Sequence, residues 1–297
     1  MKRNESAATR CASPSWTRRL SRLIAISAVL YMSLLGLLML FEETLIFPAP
    51  RYPKGDWTPE RWNQEEVYFT ADDGVQLHGW YVTPPQPRAQ VLFCHGNGEN
   101  VAYLGPYLAY LRDELNIAVF AFDYRGYGRS EGRPNEVGII SDGMAAQAWL
   151  ANRAGLAPSD VVLWGRSLGG GVAVELAARN GARGLILERT FTSLPDVAAI
   201  HYPWAPVRRL MRTRLDSLSR INEYRGPLLQ SHGTADTLVP YSIARRLFDA
   251  YQGPKDFLAV EGQGHNDPPS QLWHDRIDRF LSELPLGQPT ALETGVE

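Results

Sequence analysis

Val161-Val-Leu-Trp-Gly-Arg-Ser-Leu-Gly-Gly-Gly-Val-Ala-Val-Glu-Leu-Ala177 is the stretch on which the fold and the chemistry of this chain turn. Val161 to Trp164 form a short continuous apolar run, the pattern of a strand buried on both faces. Gly170 to Ala177 are helix-forming, and between the two lies Gly165-Arg166-Ser167-Leu168-Gly169. A strand that passes into a helix through Gly-x-Ser-x-Gly places the serine on a strained turn, with glycines leaving room on either side. The turn also sets the hydroxyl at a helix N-terminus, where the dipole favours a developing negative charge. The bland alternative is a glycine-rich turn that merely caps a helix. The strand before it and the helix after it favour Ser167 as a nucleophile.

Outward from this turn the same alternation repeats. Buried-strand candidates are Gln90 to Cys94, Ile117 to Phe122, Asp160 to Trp164, Gly184 to Leu187, Pro227 to Ser231 and Asp256 to Val260. Helical periodicity falls near Val101 to Glu114, Asn135 to Arg153, Leu168 to Asn180, Ser242 to Tyr251 and Pro269 to Leu284. Ahead of them, Glu66 to Thr70 and Val75 to Val82 flank the turn-forming Asp72-Asp73-Gly74 and read as a β-hairpin. The expected fold is therefore α/β, a mostly parallel doubly wound sheet with an antiparallel N-terminal hairpin, occupying residues 65–284. Ligands in such sheets bind at the carboxyl ends of the strands. Residues 189–226 are too long for an ordinary loop and read as a short lid, with Tyr202 and Trp204 as candidates for walling a substrate pocket. Its Arg208, Arg209, Arg212 and Arg214 read as a solvated face in preference to an anion-recognition surface. Residues 285–297 lack periodicity and are expected to be a loose tail.

A serine hydroxyl needs a base to take its proton, and a third group to hold that base in the right tautomer. After a nucleophile turn of this kind the acid and the histidine follow in that chain order. Asp236 follows the strand ending at Ser231, and His265 follows the strand ending at Val260, both at the same sheet edge as Ser167. Of the other five histidines, His78 and His274 fall within a strand and a helix, and His201 falls in the lid. His95 and His232 end strands in His-Gly pairs and read as hydrogen-bonding loop residues. The oxyanion of acyl transfer requires aimed N–H donors. The backbone N–H groups of Leu168, next after the nucleophile, and Asn97, in the loop after the early strand, are the candidates.

His95-Gly-Asn97, Phe122-Asp-Tyr-Arg-Gly-Tyr-Gly-Arg-Ser-Glu-Gly132, Gly165 to Gly170, Phe191-Thr-Ser193 and Gly264-His-Asn-Asp267 together resemble the Bem46-like branch of the α/β-hydrolases. The resemblance runs from about Glu65 to Leu284. It implies a serine hydrolase with the Ser167, Asp236, His265 triad, in a branch whose relatives include protein depalmitoylases. One departure is Glu99: the branch usually continues with small neutral residues after His-Gly-Asn. A carboxylate aimed inward would oppose an oxyanion, so Glu99 is expected to face solvent or to pair with Arg125 or Arg166.

Leu23 to Phe41 carry no charge, about the 20 residues a helix needs to cross a bilayer. Lys2, Arg3, Arg10, Arg18, Arg19 and Arg22 precede the run, and Glu42 and Glu43 follow it. The positive-inside rule then makes residues 1–22 a cytoplasmic tail and 23–41 a single-pass anchor, with 42–64 a Pro-rich connector and the body extracytoplasmic. A cleaved signal peptide is the rival reading, although its apolar region is normally shorter and ends in a small-x-small site. A buried core helix is the third.

The whole chain of 297 residues is 44% hydrophobic and 21% charged, an ordinary globular composition. A net charge of −2 gives no basic field of the sort a nucleic-acid partner requires. Cys94 reads as a buried free thiol, and Cys11 stands in the basic tail on the other side of the anchor. No metal or organic cofactor is implied. The expected partners are a small-molecule or lipid-like acyl substrate and the membrane. Two rivals stay open: a membrane-tethered binding protein that keeps the fold without catalysis, and an acyltransferase or peptidase using the same triad.

Overall fold

The computed structural model describes residues 15–285. Cys11, most of the basic tail and nearly all of the expected terminal tail lie outside them. The chain divides into two compact units, Met1–Glu42 and Glu43–Glu297.

Among the described residues the first unit is formed by one helix, α1 (Ser15–Leu40), of 26 residues. At about 1.5 Å per residue it exceeds the ~30 Å of a bilayer core. Within Trp16–Leu40 an 18-residue stretch reaches a mean hydropathy of 2.4, long and apolar enough to cross a membrane, a property that anchors and signal sequences share. The helix begins before the uncharged run, so Arg18, Arg19 and Arg22 lie on its first turns. A short helix, α2 (Glu42–Ile46), follows.

The second unit is built on eight strands: β1 (Glu65–Thr70), β2 (Gln76–Val82), β3 (Gln90–Cys94), β4 (Ala118–Asp123), β5 (Val162–Arg166), β6 (Gly184–Glu188), β7 (Leu228–Gly233) and β8 (Lys255–Val260). They form one sheet in the order β1-β2-β4-β3-β5-β6-β7-β8. β2 pairs antiparallel with both β1 and β4, and every later pairing is parallel. The helices are α3 (Gly105–Leu115), α4 (Glu136–Ala154), α5 (Leu168–Asn180), α6 (Leu194–His201), α7 (Val207–Leu210), α8 (Ser217–Arg220), α9 (Tyr241–Ala250) and α10 (Gln271–Glu283).

Strand side chains alternate between faces, and the sheet accordingly has two cores. Leu92, Phe120 and Leu163 pack with Ile139, Leu150, Val172 and Leu247 from α4, α5 and α9. Val91, Phe93, Val119, Val162 and Trp164 pack with Leu108, Leu111, Trp273 and Ile277 from α3 and α10. Central strands clothed on both sides read as unbroken apolar runs for this reason.

Several boundaries shift from expectation, and two of the shifts follow from a proline. The helix expected from Val101 to Glu114 splits into a 3-10 turn, Val101–Tyr103, and α3, with a proline in the first turn of α3. Proline lacks an N–H and is tolerated in a helix only there. Similarly, Pro158–Asp160 form their own turn, moving β5 to Val162–Arg166. Ser167 therefore follows the strand with no intervening residue.

The connector is packed on the body. Tyr52 N–H donates to Gly128 O at 2.9 Å, and Asp56 N–H to Ala102 O at 3.1 Å. The buried Asn100 amide donates to Pro50 O and Lys54 O at 3.1 and 3.0 Å.

Candidate active site

Ser167 has φ 52° and ψ −116°, outside both helical and strand regions. Such a conformation costs on the order of 1–3 kcal/mol and persists only where the surroundings enforce it. Here Ser167 N–H donates to Glu188 O at 2.8 Å, while Ser167 O accepts from Gly170 N–H and from the Thr190 hydroxyl, both at 2.9 Å. The flanking glycines allow the crossing: a Cβ on Gly169 would lie 2.0 Å from Cys94 O, and one on Gly165 would lie 2.4 Å from Gly169 O.

The three loops expected to converge do so. Ser167 Oγ lies 2.9 Å from His265 Nε2, and His265 Nδ1 lies 2.7 Å from Asp236 Oδ2. A carboxylate can only accept, so Nδ1 carries the proton and Nε2 is left to accept the serine hydroxyl proton. Asp236 is itself fixed, its Oδ1 accepting from Leu238 N–H at 2.9 Å and Val239 N–H at 2.8 Å. A further contact comes from His232, whose Nε2 lies 2.7 Å from Val239 O and 3.2 Å from Asp236 Oδ2. Because Val239 O is an acceptor, that nitrogen carries a proton and faces the carboxylate.

Burial alone would raise the Asp236 pKa. Hydrogen bonds from His232 and His265, attraction to His265 and the Val239 N–H outweigh it and hold the carboxyl well below its usual range. A carboxyl with a depressed folded pKa adds stability above its unfolded pKa and loses it as pH falls through the folded one. The difference in melting temperature between the parent and Asp236→Asn is therefore expected to be widest near neutrality and to shrink below about pH 4. Thermal melts across that range measure it, and a difference independent of pH would contradict the assignment.

The His265 loop is held by a residue that sequence reasoning missed. Arg189, just after β6, is buried with φ 53°. Its Nη1 donates to His265 O at 2.6 Å and Asp267 O at 2.5 Å, and its Nη2 to Gln263 Oε1 at 3.2 Å. Arg189→Met leaves these three acceptors unpaired and frees the imidazole. We expect kcat to fall by about 10²-fold, the cost of a displacement near 1 Å, while KM changes little. An unchanged kcat in a folded variant would remove Arg189 from this role.

Of the two oxyanion candidates, Asn97 lines the cavity beside Ser167 and Leu168 opens α5. Among the described residues neither backbone N–H has a hydrogen-bond partner. Gly96 N–H, by contrast, donates to Glu99 Oε1 at 2.9 Å. The Asn97 side chain is held by the Tyr127 hydroxyl at 2.7 Å and by Ile46 O. Glu99 pairs with Arg166, while Arg125 is taken by Asp73 and Asp142, each at 2.7 Å. Burial would lower the Arg166 pKa, but Glu99 and Glu188 outweigh it and raise it.

The site opens into a cavity of about 570 Å³ whose apolar wall is Pro48, Leu238, Pro268 and Pro269. Tyr202 and Trp204, expected to wall it, are absent from its lining and stand 52% and 49% exposed. The insertion after β6 leans elsewhere: Leu215 packs over Gly171 of α5, and Glu136 accepts from the N–H groups of Arg214 and Leu215 at 2.6 and 2.9 Å. Cys94 is a buried free thiol whose pKa burial pushes up. No group of three His, Cys, Asp or Glu side chains among the described residues could hold a metal ion.

Residues 85–204 match the family model of the serine aminopeptidases S33, Hydrolase_4. An uncharacterised Mycobacterium tuberculosis protein is 40% identical over 229 residues, covering 75% of this chain and 81% of its own length. The Arabidopsis thaliana α/β-hydrolase domain-containing protein WAV2 is 33% identical over 230 residues, covering 69% of this chain and 74% of its own. The chain belongs to the α/β-hydrolase superfamily. Among solved α/β-hydrolase structures, the Pyrococcus furiosus esterase Pf2001 superposes with a TM-score of 0.65 at 21% identity, over 80% of this chain and 97% of its own. The acetyl xylan esterase of Paenibacillus sp. R4 gives 0.62 at 21% identity, over 74% and 83%. At that identity the likeness is one of fold. In this α/β-hydrolase the hydrogen-bonded serine, histidine and aspartate come from the loops after β5, β8 and β7.

Proposed function

We propose that this α/β-hydrolase cleaves carboxylic esters or thioesters through an acyl-enzyme, belongs to the Bem46-like branch and is held at a membrane by α1. The observation that carries the reading is the unbroken hydrogen-bond chain from Ser167 Oγ through His265 to Asp236, opening on a cavity. His265 Nε2 takes the hydroxyl proton as Oγ attacks the carbonyl carbon, and the backbone N–H groups of Leu168 and Asn97 hold the oxyanion. Collapse of the tetrahedral intermediate expels the alcohol or thiol, which receives that proton from His265. Water, deprotonated by the same nitrogen, then attacks the acyl carbon, and collapse of the second intermediate breaks the bond to Ser167 Oγ, which takes the proton back from His265 as the acid leaves. Asp236 stays ionised throughout and stabilises the imidazolium. Arg18, Arg19 and Arg22 before the apolar run orient α1 with its N-terminus in the cytoplasm and the body outside it.

The matched family's name favours a second reading, aminopeptidase. Holding a free α-amino group calls for an unpaired carboxylate near the serine; of the two that line this cavity Glu99 is paired with Arg166, while Asp267 accepts from Gly264 N–H at 2.7 Å and has no ion-pair partner among the described residues. Esters and thioesters rank first on the esterase names of the structural neighbours. Turnover of a panel of p-nitrophenyl esters, acyl thioesters and amino-acid amides tests the choice. We expect hydrolysis of esters or thioesters with release of free acid. Cleavage of the amides alone, or transfer of the acyl group to an added acceptor in place of water, would overturn it.

A further inference from the structure

We infer that Ile200, Tyr202, Trp204 and Leu238, with Arg208 and Arg209, form a surface that docks on an anionic lipid bilayer at the mouth of the active site. The inference rests on the proposal that α1 holds the chain at a membrane. Ile200, Tyr202, Trp204 and Leu238 are each about half exposed, between 47% and 52%. Contiguous exposed apolar surface of this kind marks an interaction site more often than bare solvent contact.

Tyr202, Trp204 and Leu238 are tied in with the end of α6, the helix that carries Ile200. Tyr202 and Trp204 meet edge to face at 6.4 Å between ring centroids. His201 Nε2 donates to Leu238 O at 2.8 Å, fastening the end of α6 to the loop after β7. Leu238 also lines the cavity that holds Ser167, so the patch is continuous with the entrance. Nor is it a loose loop. Tyr202 N–H donates to Ala198 O at 2.8 Å, Ala205 N–H donates to Tyr202 O at 3.0 Å, and Ala205 is buried beneath. Pro203 and Pro206 fix the backbone on either side.

The chemistry of the patch selects its partner. Tryptophan and tyrosine favour the headgroup level of a bilayer, where an apolar ring with a polar edge meets both environments. Residues 194–215 contain four arginines and a single acidic residue, Asp196. That carboxylate is shared by Arg208 at 2.9 Å and Arg246 at 3.3 Å, and the exposed Arg209 has no ion-pair partner among the described residues. Anionic headgroups supply the missing counter-charge, while the arginine stems lie along the apolar surface. The body follows the apolar helix directly in the chain, so a bilayer holding that helix is presented at high effective concentration. Docking in this manner opens the cavity toward lipid, from which an acyl substrate can enter without crossing water.

The test uses the full chain carrying Cys11→Ser and Ile200→Cys, with an environment-sensitive fluorophore on the new thiol; Cys94 is buried. The chain is reconstituted in phosphatidylcholine vesicles with or without phosphatidylglycerol, and quenching by lipids spin-labelled near the headgroup is read. We expect several-fold stronger quenching in the anionic vesicles, falling to the neutral level with Arg208→Glu and Arg209→Glu. A control label at Val137→Cys, an exposed position in the first turn of α4, is expected to stay unquenched. Equal quenching at positions 200 and 137, indifference to lipid charge, or failure of the chain to float with vesicles would overturn the inference. So would shielding of the label in detergent without lipid, which would indicate a second copy of the chain. Fluorophosphonate labelling in the same samples separates the two proposals: a chain that labels but is not quenched fails only as a docking surface.

Discussion

Ser167→Ala is expected to lower kcat by about 10⁶-fold and leave only what the oxyanion donors and binding supply. Among the described residues the hydroxyl is the sole nucleophile offered to the cavity with a base in reach, at 2.9 Å from His265 Nε2. Its removal should leave the fold intact. Ser167 caps α5 without a side-chain hydrogen bond, and its backbone bonds to Glu188, Gly170 and Thr190 survive the change. Alanine accepts the same strained φ no worse than serine. Ester turnover and thermal melts on one preparation separate chemistry from folding, and a folded variant that retains a tenth of the activity would contradict the assignment.

Asp236→Asn carries the second largest expected loss, about 10⁴-fold in kcat. The amide can keep the carbonyl-type acceptance of Leu238 and Val239 N–H through Oδ1, so the loop stays in place. Its NH₂ then faces His265 Nδ1 and the protonated His232 Nε2 where an ionised oxygen stood. The imidazole adopts the tautomer with the proton on Nε2, which cannot accept the serine proton, and the imidazolium loses its counter-charge. KM should change little, since Asp236 is buried and lies off the cavity wall. A fall in kcat of less than about 10²-fold would mean that another group orients His265.

The meeting of Ser167, His265 and Asp236 was legible because each stands in a loop after a parallel strand, and a parallel sheet brings all such loops to one edge. β5 and α5 meet at a single residue, Ser167, which the strand, Gly-x-Ser-x-Gly and helix sequence announces. Glu99 was legible only as a choice between arginines; the choice is decided by Asp73 and Asp142 occupying Arg125. Arg189 left no local signal, because its acceptors Gln263, His265 and Asp267 lie 74 to 78 residues further along the chain. Pro48 reaches the cavity from a connector whose composition says nothing of where it packs. Tyr202 and Trp204 misled for the opposite reason. Their composition suits a pocket wall and an exposed docking face equally, and only the path of the insertion over α5 separates the two.

The most direct test of Ser167 as the nucleophile is the identity of the residue that carries a covalent adduct. The folded chain is treated with a fluorophosphonate, digested and mapped by mass spectrometry. The account predicts one stoichiometric adduct on Ser167, lost in Ser167→Ala, strongly slowed in His265→Ala and absent from the denatured chain. No adduct on the folded chain, or an adduct on another residue that persists in Ser167→Ala, would contradict it.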